Sequence, residues 1–486
     1  MRDESASPNP VQSKSGDGDI IMEMKKCFIR DRSEDSAVDS LEKLLALQVE
    51  NIDMDAWLEV KDFLASLIET ITVPNLVSRH QIIMLNAINN SPSIVVDFLA
   101  DLIAQNIDVL ESELATSHVA VSIAFARRVV DCHCSESIAK FLWRFAHIKA
   151  VQNELASLLT NADAETRFRV HQVAANYLKE NGNGEGVSHL IHCLIKEINA
   201  PDILTQLTAI ETLSEAAYNN KSATAYLFSL GLIDDMYSLL NKISEQPDAG
   251  FLFPAVMKFF GHLSITDASC LDQYPNFLRS LLDLVYQYDR LDASLRLLAF
   301  DTFAVVASTN DAKRYLDSNS EYDLEKALNM FGVSIAMGPL ELRVRHIEAL
   351  SVLFHNEEEI PKDDINAITQ KWWTYLGEGF PAVIVIYMSR PFDNLRLATL
   401  QLLMNILSYG WAIEALKNAR GFVDAILDRQ AETTPQGKHL KYNIVRLIIK
   451  KGSQHFDSST MMRFKLYSRE GPFHVEVPPT MDMMNI

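Results

Sequence analysis

Apolar residues recur every three or four positions along most of the chain, and the stretch Pro201–Ile243 shows this pattern most clearly. Such spacing places the apolar side chains on one face of an α-helix. The first of these faces consists of Ile203, Leu207, Ile210, Leu213 and Ala217. A polar break and a short apolar run follow, and then Gly231 has the position of a helix C-terminal glycine before a second apolar stripe. The stretch therefore predicts three helices.

Copies of this unit are marked by one polar residue followed by an apolar stripe. The reference residue is Gln206, and the copies begin at Arg169, Arg296, Arg343 and Arg396. Their steps are 37, 47 and 53 residues, with one gap of 90 residues that fits two units. Repeats of about 40–47 residues are typical of armadillo and HEAT proteins. The chain is therefore predicted to be all-α, an armadillo/HEAT-like α-solenoid of roughly ten helical repeats.

The composition changes at both ends of this predicted solenoid. Residues 1–19 are rich in Ser, Asp, Pro and Gly, which predicts a disordered N-terminal tail. Residues 20–455 are assigned to the solenoid. Residues 456–486 include an alternating segment with Pro472 and two further prolines, which a helix does not accommodate in its interior. We therefore expect an extended C-terminal tail.

Charge and cysteine content narrow the class of protein. The chain has 486 residues, a net charge of −20 and a pI near 5.1. Phosphates would meet an anionic surface, so nucleic acid is not an expected partner. Five scattered cysteines do not form a disulfide framework, and the N-terminus lacks an apolar signal core. The longest apolar run, Phe380–Met388, is too short to span a bilayer. These features predict a soluble cytoplasmic protein that could also be nuclear.

Few segments of the chain resemble a site for catalysis or for binding a metal or a nucleotide. Cys132-His133-Cys134 could bind a metal, but structural zinc usually needs two separated ligand pairs, so a turn with a buried thiol is the favoured interpretation. The glycines of Glu180–Gly186 follow a helix, not the strand that a dinucleotide fingerprint requires. Motifs of serine hydrolases, nucleotide-binding loops and zinc proteases do not occur. We expect no enzyme activity, cofactor or metal. Of Trp372 and Trp373, one is expected in the core, and the other could be core or partner contact.

Five segments in the last third of the chain carry a family resemblance. They are Pro339–Arg345, Arg390–Leu397, Gly421–Arg429, His439–Val445 and Arg469–Val475. In this order they resemble the family of 26S proteasome non-ATPase regulatory subunit 5. The resemblance implies a chaperone for assembly of the base of the regulatory particle. Such a chaperone holds the C-terminal domain of one base ATPase subunit, in a module with a neighbouring ATPase and a large non-ATPase scaffold subunit, and leaves before the particle matures.

The binding surface is expected on the last helix of each repeat. Candidate partner contacts in exposed helical phase are Asp234, Asp235, Asp424, Asp428 and Arg429. The free protein is expected to be a monomer. An alternative is an armadillo-type adaptor that binds extended peptide cargo. Such adaptors usually present tryptophan–asparagine pairs four residues apart, and none of the five tryptophans here has an asparagine at that spacing.

Overall fold

The computed structural model describes residues 16–46, 54–243, 247–358, 360–452 and 454–474. Within these ranges the regular structure is helical, without strands. The helices form two compact units, Met1–Ala216 and Ala217–Ile486. Four short 3₁₀ segments, one of them at Tyr288–Arg290, lie between the α-helices. The prediction that residues 20–455 form one solenoid stays a prediction.

The first unit contains thirteen described α-helices, the last of which continues one residue past the boundary. They are α1 (Gly16–Arg30), α2 (Glu34–Ala46), α3 (Met54–Ile71), α4 (Val73–Ser78), α5 (Gln81–Asn90), α6 (Ser93–Gln105), α7 (Ile107–Ala115), α8 (Val119–Arg128), α9 (Ser135–Leu142), α10 (Lys149–Leu158), α11 (Ala164–Asn181), α12 (Ser188–Glu197) and α13 (Ile203–Ala217). In this unit α5 packs on α8 and α8 on α10, while α6 packs on α9 and α9 on α11.

The second unit contains sixteen described α-helices. They are α14 (Lys221–Ser229), α15 (Leu232–Ile243), α16 (Phe253–Thr266), α17 (Cys270–Gln273), α18 (Pro275–Tyr286), α19 (Ala293–Val306), α20 (Asn310–Ser318), α21 (Leu324–Met337), α22 (Leu340–Leu353), α23 (Asp363–Tyr375), α24 (Phe380–Met388), α25 (Asp393–Ile406), α26 (Ala412–Lys417), α27 (Phe422–Leu427), α28 (Pro435–Lys451) and α29 (Ser458–Glu470). The three helices predicted for Pro201–Ile243 are confirmed as α13, α14 and α15.

Two rows of helices run through the second unit, and each row joins corresponding helices of successive repeats. In the first row α16 packs on α19, α19 on α22, α22 on α25, and α25 on α28. In the second row α15 packs on α18, α18 on α21, α21 on α24, α24 on α27, and α27 on α29. Contact of each repeat mainly with its neighbours is the defining property of helical repeat proteins. The predicted fold class, an all-α armadillo/HEAT-like α-solenoid, is confirmed by this packing.

Aromatic side chains fill the space between the rows. Phe300 of α19 stacks on Phe331 of α21 with ring centroids 4.1 Å apart. Trp372 is fully buried, and its indole N–H donates to Asp317 Oδ1 at 2.9 Å. Trp373 is only 5% exposed and packs against Phe380. Both tryptophans therefore belong to the core, so the core position is confirmed for the second of them and the alternative of a partner contact is excluded.

The arginines that mark the repeats hold the turns in front of their helices. Arg296 Nε donates to the carbonyl of Tyr288 at 3.1 Å, and the Arg343 guanidinium donates to the carbonyl of Gly338 at 2.9 and 3.0 Å. Arg396 is buried and also pairs with Glu432 Oε1 at 3.3 Å. Backbone carbonyls are more frequent partners of these arginines than acidic side chains are, because each guanidinium lies within reach of the preceding turn.

Both predicted chain ends differ from the structure. Helix α1 begins at Gly16, so the predicted disorder is wrong for the last four residues of 1–19, and the rest of that segment lies outside the described residues. The predicted extended tail is wrong for Ser458–Glu470, which forms α29. Pro472 follows this helix and does not interrupt it, because Gly471 ends the helix with a positive φ of 84°. The segment after residue 474 lies outside the described residues.

Replacement of Gly332 by alanine tests the close approach of α21 to the end of α23. A Cβ at Gly332 would lie 2.0 Å from the carbonyl oxygen of Leu376. Backbone must therefore move, and we expect Gly332→Ala to lower the free energy of unfolding by about 1–3 kcal/mol. Urea denaturation followed by circular dichroism measures this change. Gly250→Ala is the matched control, because no atom lies within 4 Å of its Cβ; equal midpoints for the two variants would contradict the packing.

Acidification should destabilise the second unit through His346 of α22. This side chain is 1% exposed, and its Nε2 lies 2.7 Å from Tyr288 Oη. Burial lowers the His346 pKa from 6.5 to about 4, so only the unfolded chain takes up this proton as pH falls from 6.5 to 4. Stability is lost over that window, by at most about 1.4 kcal/mol per pH unit. We expect His346→Gln to show a smaller drop in Tm between pH 7 and pH 5 than wild type, whereas His355→Gln, at an exposed position, should match wild type.

Candidate functional site

The helices that end five successive repeats of the second unit share one pattern of buried and exposed positions. In each helix, an exposed residue comes two positions after a buried apolar residue, and a second exposed residue follows four positions later. Residues four apart lie on one face of a helix. We call this set the exposed row. Its members are Asp234 and Ser238 (α15), Arg279 and Asp283 (α18), Asn329 and Val333 (α21), Ala382 and Ile386 (α24), and Asp424 and Asp428 (α27 and the residue after it).

The centre of the exposed row is apolar and its two ends are polar. Val333 is 37% exposed and Ile386 is 48% exposed. The hydroxyl of Tyr387 donates to the carbonyl of Ile335 at 2.6 Å, which fixes α24 against α21 beside these two side chains. Asp234 and Asp428 lie at opposite ends of the row. An apolar centre with a charged rim is the usual composition of a protein-binding surface.

At the α15 end, the two predicted aspartates differ in their positions. Asp234 belongs to the exposed row and accepts a hydrogen bond from Tyr274 Oη at 3.1 Å. Burial, and then the hydrogen bond to this carboxylate, raise the pKa of Tyr274 to about 12. Asp235 is exposed as well, but it lies one residue out of phase with the row. Asp234 is therefore the better placed of the two.

At the α27 end, both predicted aspartates are engaged within the protein. Asp424 is 77% exposed and pairs with Arg463 of α29 at 2.9 Å. Asp428 Oδ1 accepts from the backbone N–H of Gln430 at 2.9 Å, and its own carbonyl accepts from Lys441 Nζ at 2.5 Å. Asp424 remains available at the surface, whereas Asp428 also orders the loop before α28. A substitution at Asp428 would therefore affect local structure as well as binding.

Arg429 was predicted to be a partner contact in exposed helical phase, and the predicted exposure is wrong. Its side chain is only 13% exposed. The guanidinium donates to the carbonyls of Gly471 at 2.7 Å and Tyr467 at 2.9 Å, and it lies 3.7 Å from the centre of the Tyr467 ring. It also pairs with Glu470 Oε2 at 3.0 Å. Arg429 therefore holds α29 in place and leaves only a small part of its side chain accessible to a partner.

Of the exposed row, sequence reasoning named only Asp234, Asp424 and Asp428, and it missed the two large apolar members, Val333 and Ile386. A search for exposed charges passes over them, because apolar residues on a helix are normally assigned to the core. The repeat pattern of the sequence could have identified these two residues. Ile386 lies ten residues before Arg396, and Val333 lies ten residues before Arg343. Alignment on these arginines would have placed both residues at one repeat position, opposite the buried stripe.

The segments weighed for chemistry show ordinary structural environments. Cys132 is exposed, while Cys134 is buried in the turn before α9, where burial raises the pKa of its thiol to about 12. Across the described parts of the chain, no three His, Cys, Asp or Glu side chains are arranged to hold a metal ion. Among the helices that the structure describes, each is too short or too polar to cross a lipid bilayer.

Comparison with known proteins gives a match over nearly the whole chain. A family model described as Proteasome non-ATPase 26S subunit matches residues 20–483. The chain is 26% identical to 26S proteasome non-ATPase regulatory subunit 5 of Homo sapiens over 331 residues. This aligned region covers 67% of this chain and 64% of the human protein. The protein of the same name from Drosophila melanogaster is 27% identical over 329 residues, or 67% of this chain and 63% of its own. The chain thus spans less than two thirds of these relatives' length.

Solved structures show a weaker likeness. UNC-45 from Drosophila melanogaster has a TM-score of 0.35 and 13% identity, with 91% of this chain and 64% of that chain covered. A structure of Kap95p binding to RanGDP has a TM-score of 0.39 and 13% identity, with 96% and 64% covered. Likenesses of this size carry no functional argument.

Removal of the Arg429 guanidinium should release the last helix. Arg429→Ala leaves the end of α29 without its two carbonyl hydrogen bonds and its ion pair. We expect hydrogen exchange in Ser458–Glu470 to accelerate at least tenfold, because loss of these contacts lowers the cost of local opening. Arg463→Ala is the control, since it removes only a surface pair worth about 0–1 kcal/mol. Equal exchange in both variants would show that Arg429 does not anchor α29.

Proposed function

The chain belongs to the proteasome non-ATPase 26S subunit family, and from this premise we propose that it is a chaperone for assembly of the base of the 26S proteasome regulatory particle. In this proposal it holds the C-terminal domain of one base ATPase subunit and dissociates before the mature particle forms. The family membership is the observation that carries the proposal. The names of its relatives, 26S proteasome non-ATPase regulatory subunit 5, support a role at the regulatory particle.

We assign the ATPase domain to the exposed row. The row extends over five helices that pack in succession, from α15 to α27, which gives a surface long enough for a small folded domain. Val333 and Ile386 supply apolar area that the free chain leaves in water. Burial of such area favours binding by about 25 cal/mol per Å². Asp234 and Asp424 supply negative charge at the two ends, so the partner surface is expected to be apolar in the middle and basic at its edges.

Release from the row is compatible with this composition. The two exposed apolar side chains are single residues on neighbouring helices and do not form a deep pocket. The carboxylates of Asp234 and Asp424 already have partners in the free chain: Asp234 accepts a hydrogen bond from the neutral Tyr274 hydroxyl, and Asp424 forms an ion pair with Arg463. Exposed charge pairs contribute little to affinity, and association also costs translational freedom. The expected affinity is therefore moderate, as a transient holder requires.

Further elements of the proposal concern the setting in which the protein acts. We propose a neighbouring ATPase and a large non-ATPase scaffold subunit of the base as additional partners, and a monomeric state for the free protein. The activity is assigned to the cytoplasm or the nucleus. No catalytic step is assigned to the chain, because the proposed role consists of binding and release.

Charge placed at the centre of the exposed row should abolish capture of the ATPase. We expect the double variant Val333→Glu/Ile386→Glu to retain at least tenfold less base ATPase subunit in affinity purification from cells, because two carboxylates would be desolvated in the interface. Quantitative mass spectrometry of the co-eluting proteins measures this loss. Wild-type eluates should contain base ATPase subunits without the proteolytic core.

Val352→Glu is the matched control, because Val352 is 42% exposed but lies on α22, outside the exposed row. It should retain ATPase subunits at the wild-type level. Unchanged retention by the double variant would refute the assignment to the row. Stoichiometric proteolytic core in the wild-type eluate would refute the chaperone role itself.

A further inference from the structure

A groove of about 580 Å³ lies between α11 and α13 in the first unit. Its lining runs along α11 from Ala164 to Lys179 and along α13 from Asp202 to Ala216, with Leu194 and Glu197 contributed by the region of α12. At a rise of about 1.5 Å per residue, the α11 side of the groove is roughly 22 Å long. The groove is therefore long and narrow, a shape that suits an extended chain better than a compact ligand.

His171 lines this groove and lacks a hydrogen-bond partner within the protein. The side chain is 4% exposed, and neither ring nitrogen makes a hydrogen bond. The nearest carboxylate oxygen, Glu197 Oε1, is 3.8 Å from Nε2. Burial, followed by the nearby Arg167 charge, lowers the His171 pKa to about 4, so the ring is neutral near pH 7. A neutral imidazole presents one donor and one acceptor. Buried polar groups normally have partners, so the unpartnered His171 ring points to a ligand.

Charge in the groove favours a basic ligand. The lining contains five carboxylates and two side-chain cations, Arg167 and Lys179. The carboxylates are Glu165, Glu197, Asp202, Glu211 and Glu215. Arg167 pairs with Glu197 at 2.9 Å, Lys179 pairs with Glu215 at 3.0 Å, and Glu165 pairs with Arg169, so Asp202 and Glu211 carry the excess of negative charge that remains in the groove. A phosphate-bearing ligand would be repelled by this excess, whereas lysine or arginine side chains would be attracted.

Polar side chains along the two walls of the groove can form hydrogen bonds with a polypeptide backbone. Gln172 and Asn176 are one helical turn apart on α11, and the groove is lined opposite by Thr205 and Thr208 of α13. Asn176 Nδ2 donates to the carbonyl of Ala139, and the two threonine hydroxyls donate to Asp202 and to the carbonyl of Leu204, so these three side chains offer their oxygens as acceptors. Side-chain amides carry both donors and acceptors, as peptide groups do. An extended chain advances about 3.3 Å per residue, so roughly six residues would span the groove.

We propose that the α11–α13 groove binds an extended basic segment of a polypeptide partner, with lysine or arginine side chains directed to the acidic wall and a backbone group bonded to His171. This inference goes beyond the role proposed for the exposed row, since the groove belongs to the first unit and has a different composition. It holds or fails independently of any ATPase bound in the second unit.

Fluorescence anisotropy with the full-length chain tests the proposal. The probe is a fluorescein-labelled nonapeptide of alternating lysine and alanine, and the matched peptide carries glutamate in place of lysine. We expect the lysine peptide to saturate with a micromolar Kd that rises with salt, and the glutamate peptide to bind at least tenfold more weakly. Equal binding of the two peptides, or no binding of the lysine peptide, would overturn the proposal.

Two variants and a second readout locate the site. Glu211→Lys should raise the Kd of the lysine peptide at least tenfold, whereas Glu113→Lys, which makes the same charge change at an exposed position of α7, should leave it within twofold. Hydrogen exchange should slow in α11 and α13 on saturation with peptide. An equal effect of both variants, or protection confined to other helices, would show that the peptide binds elsewhere and would refute the groove.

Discussion

Every repeat of this protein has an apolar stripe that its own few helices cannot cover, and the fold depends on the way neighbouring repeats cover it. In the second unit the coverage is achieved by two rows in which helix stacks on corresponding helix, from α16 to α28 and from α15 to α29. Close approach is essential to this arrangement. At Gly332 the backbone of α21 comes so near to the carbonyl of Leu376 that no Cβ fits between them. Each helix of the second row packs most of its faces into the core and leaves one face in water. The water-exposed faces of successive repeats together form the exposed row.

Buried charges hold the turns that set the spacing of the repeats. Arg396, Glu432 and Lys441 are all nearly inaccessible to solvent, with exposures of 3%, 3% and 0%. Burial raises the pKa of Glu432 and lowers that of Lys441 to about 8. Desolvation therefore opposes the charged form of both side chains, whereas neighbours of opposite charge favour it. Loss of one partner would leave an uncompensated charge, which typically costs about 3–5 kcal/mol. The arrangement thus stabilises one geometry of the last repeats and strongly disfavours others.

Local information in the sequence was sufficient for the helices and insufficient for the contacts between them. The apolar spacing from Ile203 to Leu240 predicted three helices, and Gly231, the glycine expected at a helix C-terminus, has a positive φ angle of 77°. In contrast, the role of Arg429 depends on Tyr467, Glu470 and Gly471, about forty residues further along the chain. No spacing within one repeat reveals such a partner. The same limit explains why exposed phase identified Asp234 and Asp424, while the apolar centre of the row became evident only when helices were compared across repeats.

The exposed row and the α11–α13 groove differ in the kind of partner that each can select. The row has two separated apolar side chains, and the carboxylates of Asp234 and Asp424 already have partners. The affinity proposed for the row therefore has to come from area spread over several helices, which a folded domain can supply. The groove contains a buried imidazole without a partner and a surplus of carboxylates, so its affinity has to come from a few directed bonds and from opposite charge. A chain segment can enter such a groove only if it is extended, because roughly six residues fill its length. The second unit therefore provides a broad surface that recognises shape, and the first unit provides a narrow groove that recognises charge.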